Sequence, residues 1–337
     1  QVFQNMLVKV LEVLKGGSLG RTELIEANGR ELRVRKSISS LKNREYGEVR
    51  WHSQLKRLQR YDSLLPGLFP KVLQLGTTED SYFFDIEYFE GYCNLKSYFC
   101  NHSPNQDQIK LIAEKVIAGA TRLHSHTIFD SYPGSLGVYL QEEMLQKLSD
   151  ACENRDFEVF SNISTIYLNG VGIPSLKSQI PWLREFVAKI DIGSECFTHG
   201  NLTLENILIH PESLEIRLID PYDENIVDCR EADFSQILQC SSSHYGIMSD
   251  YEPTVNGATV VLEYKIPTPL IQFNEVILRS FTSPALGLDI ELLDFLHVSQ
   301  FVRMLPFKVQ SGDLNKAILF YALSCKLMQE MRIRHGN

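Results

Sequence analysis

The sequence predicts an α+β protein with a small β-rich N-terminal part and a larger, mainly helical C-terminal part. Alternating apolar and polar residues flank Asn28-Gly29, which is typical of a β-hairpin. Further along, "QIKLIAEKVIAGATRLHSH" carries apolar residues at helical spacing, which predicts a long buried helix. The change from strand-like to helix-like segments divides the chain into residues 1–92 and 93–337.

The N-terminal part is predicted to be mostly sheet with one helix. After the hairpin, a helix is expected from about Asn43 to Tyr61. Its inward face is predicted to consist of four apolar residues, Val49, Trp51, Leu55 and Leu58. The stretch "KVLQLGTTEDSYFFDIEYF" then predicts two strands joined by a turn.

The C-terminal part is predicted to be helical apart from one small hairpin. Helices are expected in "GVYLQEEMLQKLSDA", "IPWLREFVAKI", "ELLDFLHVSQFVRMLPFK" and "LNKAILFYALSCKLMQEM". The hairpin is expected from two short apolar runs, "ENILIH" and "EIRLIDP", which the turn-forming His-Pro-Glu-Ser separates.

Charge and composition exclude several classes of protein. The 337 residues carry a formal net charge of −9, which argues against non-specific binding to nucleic acid. No run of 18 apolar residues is present, so no membrane span is expected. The seven cysteines are scattered and lack metal-ligand spacing, as expected of core residues in a reducing, cytoplasmic protein.

The stretch "FTHGNLTLENILIH" carries the strongest functional signal. His199-Gly200 precedes Asn201, and Asn206 lies five residues after Asn201, which is the Asp-to-Asn spacing of a kinase catalytic loop. Asp220 follows at the end of the predicted hairpin. An amide oxygen and a carboxylate are suitable ligands for a hard cation such as Mg²⁺. The ordered set therefore predicts a kinase-type loop with a metal site at Asn206 and Asp220.

Two features of the N-terminal part are candidates for binding phosphate. Gly16-Gly17-Ser18 lies at the start of the first strand, where small residues let backbone N–H groups approach phosphates; a plain turn is the alternative. Lys36 ends the second strand and is predicted to pair with a carboxylate of the following helix. Glu48 is the first candidate and Glu45 the second, and ordinary solvent-exposed charges are the alternative.

These motifs resemble the aminoglycoside phosphotransferase and choline kinase superfamily, whose loop reads H-G-D-L-x-x-x-N-I-L with a later I-D. Here the matching stretches are "FTHGNLTLENILI" and "LIDPYDENIVDCREADFSQILQ". More narrowly, the wording of the loop, the later Asp-x-x-Gln and "FVRMLPFK" resemble bacterial phosphotransferase-like proteins of capsule and polysaccharide gene clusters. The resemblance covers nearly the whole chain and implies a bilobal, protein-kinase-like fold that uses ATP and Mg²⁺.

The resemblance also implies roles for individual residues. Lys36 would hold the α- and β-phosphates, steadied by Glu48, and Glu87-Tyr88-Phe89 would be the hinge that binds the adenine. Asn206 and Asp220 would hold Mg²⁺, and His199 would brace the loop. Asp233 is predicted to be structural, as an N-terminal cap of the helix that follows.

Asn201 departs from the family pattern, because the family has the catalytic Asp at this position. An amide oxygen accepts a hydrogen bond but is hardly basic, and loss of a general base lowers the rate by about 10²–10⁴-fold. Three explanations are open: a natural nucleotide-binding pseudokinase that acts as a scaffold or regulator, an Asp→Asn substitution in an active kinase, or another base. Asp223 and Glu224 are the candidates for another base.

The acceptor implied by the resemblance is a sugar or polysaccharide precursor. Two segments are candidate walls of its pocket: the insert between Asp130 and Gly193, and "YEPTVNGATVVLEYKIPTP". They contain several aromatic residues, namely Tyr132, Tyr139, Tyr167, Tyr251 and Tyr264. Ordinary core packing is the alternative role for each tyrosine.

Overall fold

The computed structural model describes residues 8–14, 20–39, 44–78, 80–222 and 225–336. Strands predominate toward the N-terminus and helices toward the C-terminus, so the predicted α+β class with this order of elements is confirmed. The chain folds into two compact units.

Each unit consists of two separate stretches of the chain, unlike the division into residues 1–92 and 93–337 that the sequence predicts. The first unit contains Gln1–Asn94 and Asn206–Glu224, and the second contains Leu95–Glu205 and Asn225–Asn337. The short hairpin that follows Asn206 therefore belongs with the N-terminal residues. The physical reason is a strand pairing, which the local sequence pattern does not reveal.

The first unit is built on a five-stranded antiparallel sheet with the order β1-β2-β3-β5-β4. Its strands are β1 (Val8–Leu14), β2 (Arg21–Ala27), β3 (Glu31–Ser39), β4 (Val72–Thr77) and β5 (Ser81–Glu87). The predicted hairpin at Asn28-Gly29 is confirmed, and both turn residues have positive φ, at 53° and 75°. Glycine and asparagine adopt this conformation with the least steric strain.

One helix, α1 (Arg44–Leu64), packs on this sheet. Trp51, Leu55 and Leu58 are buried as predicted, and the Trp51 ring lies 5.9 Å from that of Phe84 on β5. Val49 is 59% exposed, so its predicted inward position is wrong. The apolar stripe thus begins two residues later than expected.

A three-stranded sheet with the order β12-β11-β6 completes the first unit. Its strands are β6 (Cys93–Asn94), β11 (Ile207–Ile209) and β12 (Ile216–Leu218). The predicted hairpin is confirmed, since Ile207 pairs with Leu218, and Leu208 on its other side pairs with Asn94. These short strands place Asn206 immediately before β11 and Asp220 just after β12.

The second unit is mainly helical, and all the helices predicted for it are present. Its helices are α2 (Leu95–Asn101), α3 (Gln106–His124), α4 (Ser135–Tyr139), a π-helical turn (Leu140–Leu145), α5 (Gln146–Ala151), α6 (Arg155–Ser161), α7 (Leu176–Val187), α8 (Arg230–Ser241), α9 (Tyr245–Met248), α10 (Thr268–Phe281), α11 (Ile290–Val302), α12 (Leu305–Gln310) and α13 (Leu314–His335). Helices α8, α11 and α13 carry long runs of buried residues and form the centre of the unit.

Six short strands in the second unit were not predicted. They are β7 (Thr127–Asp130), β8 (Thr165–Leu168), β9 (Val171–Pro174), β10 (Ser194–Cys196), β13 (Thr254–Asn256) and β14 (Thr259–Val261). β7 pairs with β10, and the others form a sheet with the order β13-β14-β8-β9. Asn169-Gly170 forms the β8–β9 turn, so the Asn-Gly signal used at residue 28 also marks this hairpin, whereas the β13–β14 turn is Gly257-Ala258.

Candidate functional site

Lys36 and Asp220 form an ion pair within the first unit. Lys36 lies on β3 opposite Phe84, and the Phe84 ring contacts Trp51 of α1. The side chain of Lys36 is 13% exposed and that of Asp220 is 35% exposed, so the pair is partly open to solvent. Lys36, which was predicted to bind phosphate, and Asp220, which was predicted to bind the metal, are therefore in direct contact.

The backbone around Asp220 is held in place by three hydrogen bonds. The N–H of Ile219 donates to the C=O of Asn206 at 3.0 Å, and the N–H of Leu218 donates to the C=O of Leu68 at 2.8 Å. On the other side, the Arg57 guanidinium of α1 donates to the C=O of Tyr222. The predicted metal ligands Asn206 and Asp220 are thus brought together at one end of the hairpin.

Asp220 itself has a left-handed backbone conformation, with φ at 57°. Few residues other than glycine and asparagine adopt this region, and such strain is often found at functional sites. The next residue is the buried Pro221, which also restricts the backbone of Asp220. The carboxylate is therefore presented by a rigid, locally strained segment.

The other nucleotide-site residues have a mixed outcome. Glu48 is half-buried on α1, and among the described residues the ion pair of Lys36 is made with Asp220 and not with Glu48. The side chain of Glu45 and the stretch Gly16-Gly17-Ser18 lie outside the described residues. At the predicted hinge, Glu87 pairs with Arg33 at the end of the β3–β5 ladder, and Tyr88-Phe89 follows beyond it.

The loop that carries His199 and Asn201 lies in the second unit and is braced by Asp233 of α8. The backbone N–H groups of His199 and Gly200 donate to the two oxygens of Asp233, each at 2.8 Å. His124 of α3 places Nε2 2.8 Å from Oδ2 of the same carboxylate. Burial alone would raise the pKa of Asp233, but the hydrogen bond and charge of His124 hold this pKa below its ordinary value.

Gln236, one turn further along α8, forms hydrogen bonds to the same loop on both sides of Asn201. Its amide nitrogen donates to the C=O of Gly200 at 3.0 Å, and its amide oxygen accepts from the N–H of Leu202. Gly200 has φ at 77°, which favours glycine at this position. Asn201 lies between the two bonded groups and is exposed. The helix thus fixes the loop backbone and leaves the side chain of Asn201 accessible.

His199 is fully buried and forms part of this brace. Its Nδ1 accepts a hydrogen bond from the backbone N–H of Asn201 at 3.2 Å. The ring therefore carries its proton on Nε2 when it is neutral. The imidazole orients the residue that follows Gly200 instead of facing solvent.

Sequence reasoning missed part of this brace and misassigned another part. Asp233 was predicted to cap α8, but the N-cap residue is Cys229 and Asp233 lies inside the helix, where its carboxylate binds the loop. Gln236 and His124 were not assigned a role. The Asp-x-x-Gln spacing was the available signal, because residues i and i+3 share one face of a helix.

The candidate acceptor walls contain both core and surface tyrosines. Tyr139 is buried, with its hydroxyl 2.8 Å from that of Ser299, so it packs in the core. The hydroxyl oxygen of Tyr264 lies 3.0 Å from Nδ1 of His244. Tyr132 and Tyr167 are exposed. Tyr251 is also exposed, and its ring lies 6.1 Å from that of Tyr264.

Three further features concern the cysteines, groups of metal-ligating side chains, and helices long enough to span a membrane. All seven cysteines are free thiols; four are buried, whereas Cys100 is exposed. The described residues contain no group of three or more His, Cys, Asp or Glu side chains arranged to hold a metal ion. No helix within the described ranges has both the length and the apolar character needed to cross a membrane.

No protein-family model matches this sequence, and no curated protein matches it significantly.

Proposed function

We propose that the chain is an ATP-dependent, kinase-like phosphotransferase that acts on a hydroxyl group of a small molecule. The observation that carries this proposal is the Lys36–Asp220 ion pair, with Asn206 bonded through its backbone to the residue before Asp220. This supports the proposal because protein kinases use a strand lysine for the phosphates and an Asn and an Asp for Mg²⁺.

The residues of this site have the chemistry needed for both ligands. Lys36 would bind the α- and β-phosphates, and the backbone of Glu87-Tyr88-Phe89 would bind the adenine. Asn206 and Asp220 would hold Mg²⁺ through oxygen atoms, with phosphate oxygens and water as the remaining ligands. The metal would neutralise the charge that develops on the transferred phosphate. Gly16-Gly17-Ser18 would cover the phosphates, and Glu48 would steady Lys36 once the nucleotide draws it from Asp220.

In the reaction, the acceptor oxygen forms a bond to the γ-phosphorus while the bond from this phosphorus to the β,γ-bridging oxygen breaks, which releases ADP. The acceptor hydroxyl also loses its proton. Asn201 occupies the loop position from which a carboxylate would take that proton. Its amide orients the hydroxyl but does not accept the proton, which passes instead to an oxygen of the transferred phosphate or to water, so turnover by this chain is slow.

A second function is favoured by Asn201 itself. A nucleotide-binding pseudokinase would keep residues such as Lys36, Asn206 and Asp220 and lack the carboxylate at position 201, which is the set of residues present here. In that case the chain would act as a scaffold or regulator. The loop brace formed by Asp233 and Gln236 would then maintain a binding surface and not a catalytic one.

The acceptor we propose is a sugar or polysaccharide precursor in the cytoplasm. The test is transfer of label from γ-labelled ATP to a panel of sugars and sugar phosphates, with this chain and with Asn201→Asp. Restoring the base should raise the rate by about 10²–10⁴-fold, whereas Asn201→Ala should give no gain. Equal rates for the original chain and Asn201→Asp on an accepted sugar would exclude Asn201 as the altered base position. Product with another metabolite and none with the panel would exclude the sugar acceptor.

A further inference from the structure

An Arg–carboxylate pair of the second unit lies beside the loop that carries Asn201. Arg303, which caps the C-terminal end of α11, forms an ion pair with Glu143 of the π-helical turn. The side chains of Arg303 and Glu143 are 21% and 15% exposed, so the pair is partly desolvated but accessible. π-Helical turns are frequent at functional sites because they displace side chains from the regular helical positions.

Asn225 connects this pair to the loop within the second unit. Its amide oxygen lies 3.5 Å from Nη2 of Arg303, and its amide nitrogen lies 3.3 Å from the C=O of Gly200, to which it donates. Gly200 immediately precedes Asn201. Polar side chains of three kinds therefore converge next to the residue at the base position.

We propose that Glu143, Arg303 and Asn225 bind the hydroxyl groups of a neutral, polyhydroxylated acceptor beside Asn201; this inference rests on the proposed function and specifies its substrate class. A carboxylate only accepts hydrogen bonds and a guanidinium only donates them. Two adjacent hydroxyls match this pair, because one donates to Glu143 while the other accepts from Arg303. The Asn225 amide can do either.

The charges of the pair favour a neutral acceptor. Glu143 and Arg303 neutralise each other, so this pair itself carries no net charge to attract an ion. A polycationic aminosugar would bring positive charge against the guanidinium. A sugar phosphate would compete with Glu143 for Arg303 and leave the carboxylate without its partner, which is unfavourable in a partly desolvated site.

The test measures sugar binding without nucleotide, by saturation-transfer NMR and calorimetry. The probes are the methyl glycosides of glucose, galactose, mannose and N-acetylglucosamine, with glucose 6-phosphate and an aminosugar as comparators. Glu143→Gln and Arg303→Lys are the conservative variants. Arg334→Lys is the matched control, because Arg334 forms an ion pair with Asp294 at 2.6 Å in the same unit. Thermal unfolding verifies that every variant is folded.

We expect at least one neutral glycoside to bind, with affinity reduced tenfold or more in both test variants and unchanged in Arg334→Lys. Equal affinity in all variants would overturn the inference, and so would binding of only the phosphate or the aminosugar, or of no probe at all. Mg²⁺–ATP binding on the same samples separates the two proposals. If the original chain binds Mg²⁺–ATP but no glycoside, only this inference is contradicted. If it binds neither Mg²⁺–ATP nor a glycoside, the proposed function is contradicted as well.

Discussion

Lys36 and Asp220 are 184 positions apart in the chain, yet their side chains form an ion pair. One residue lies on β3 and the other follows β12, and both belong to the same compact unit. Because Asp220 is partly exposed and conformationally strained, the pair is better suited to exchange its partners than to stabilise the fold. A nucleotide phosphate for Lys36 and a metal ion for Asp220 would be those new partners.

Replacement of two neighbouring residues on β3 should affect different properties, nucleotide binding in one case and the free energy of unfolding in the other. Lys36→Met should abolish nucleotide binding with little effect on the free energy of unfolding, because its partner Asp220 remains accessible to water. Arg35→Met should destabilise the protein by about 3–5 kcal/mol, because it leaves the fully buried carboxylate of Asp85 without its bidentate partner.

Denaturant unfolding and nucleotide calorimetry on both variants check this contrast. Similar destabilisation by the two substitutions would show that Lys36 is a structural residue. The result would then count against its assignment to the phosphates.

Asp233→Ala should be among the most destabilising single changes in the second unit. It removes the acceptor for the N–H groups of His199 and Gly200 and leaves His124 without its buried partner. We expect a loss of about 3–5 kcal/mol in the free energy of unfolding. Glu114→Ala, which removes only an exposed i,i+4 pair, should change it by less than about 0.5 kcal/mol. A loss of comparable size in the two variants would contradict the bracing role.

The same carboxylate should make stability depend on acidic pH. The pKa of Asp233 is lower in the folded state than in the unfolded state, where it is about 4. The carboxylate therefore stabilises the folded protein fully at pH values above the unfolded pKa. That stabilisation is lost as the pH falls through the folded pKa. Asp233→Asn should therefore be less stable at neutral pH but lose less stability on acidification. Parallel curves of unfolding free energy against pH for the original chain and the variant would disprove this contribution.

Gln236→Ala should loosen the loop around Asn201. Without Gln236, the N–H of Leu202 and the C=O of Gly200 lose the amide that bonds both. We expect the Leu202 amide to exchange with solvent at least tenfold faster, relative to global unfolding. Gln239→Ala is the control, since Gln239 is equally buried on α8 but contacts Met304. Equal acceleration in both variants would mean that helix α8, and not Gln236 itself, protects the loop.

Local sequence patterns predicted many of the helices and strands of this fold correctly. The hairpin at Asn28-Gly29, the helix now assigned as α1 and the long helix α3 each follow from periodicity and turn residues. The site residues Asn206 and Asp220 followed from motif spacing, and the structure brings their segments together. In such cases the determining interactions lie within one stretch of sequence.

Features that depend on distant contacts were not predictable in this way. The hairpin after Asn206 joins the N-terminal unit because Leu208 pairs with Asn94, and no local pattern indicates that pairing. Asp233 looked like a helix cap from its position, but its hydrogen bonds depend on the fold of a loop more than thirty residues earlier. Likewise, the contact of Lys36 with Asp220 instead of Glu48 is determined by the tertiary structure.

The most direct test of the account is calorimetric titration of this chain with ATP, with and without Mg²⁺, beside the Asp220→Ala variant. Asp220 is partly exposed and lies outside the helices and strands, so the substitution should leave the fold intact, which circular dichroism verifies. The account predicts Mg²⁺-dependent binding with a dissociation constant of about 1–100 μM, within the usual range for nucleotide substrates, and its loss in the variant. Absence of binding in both proteins, or equal Mg²⁺-dependent binding in both, would contradict the nucleotide site at Lys36, Asn206 and Asp220.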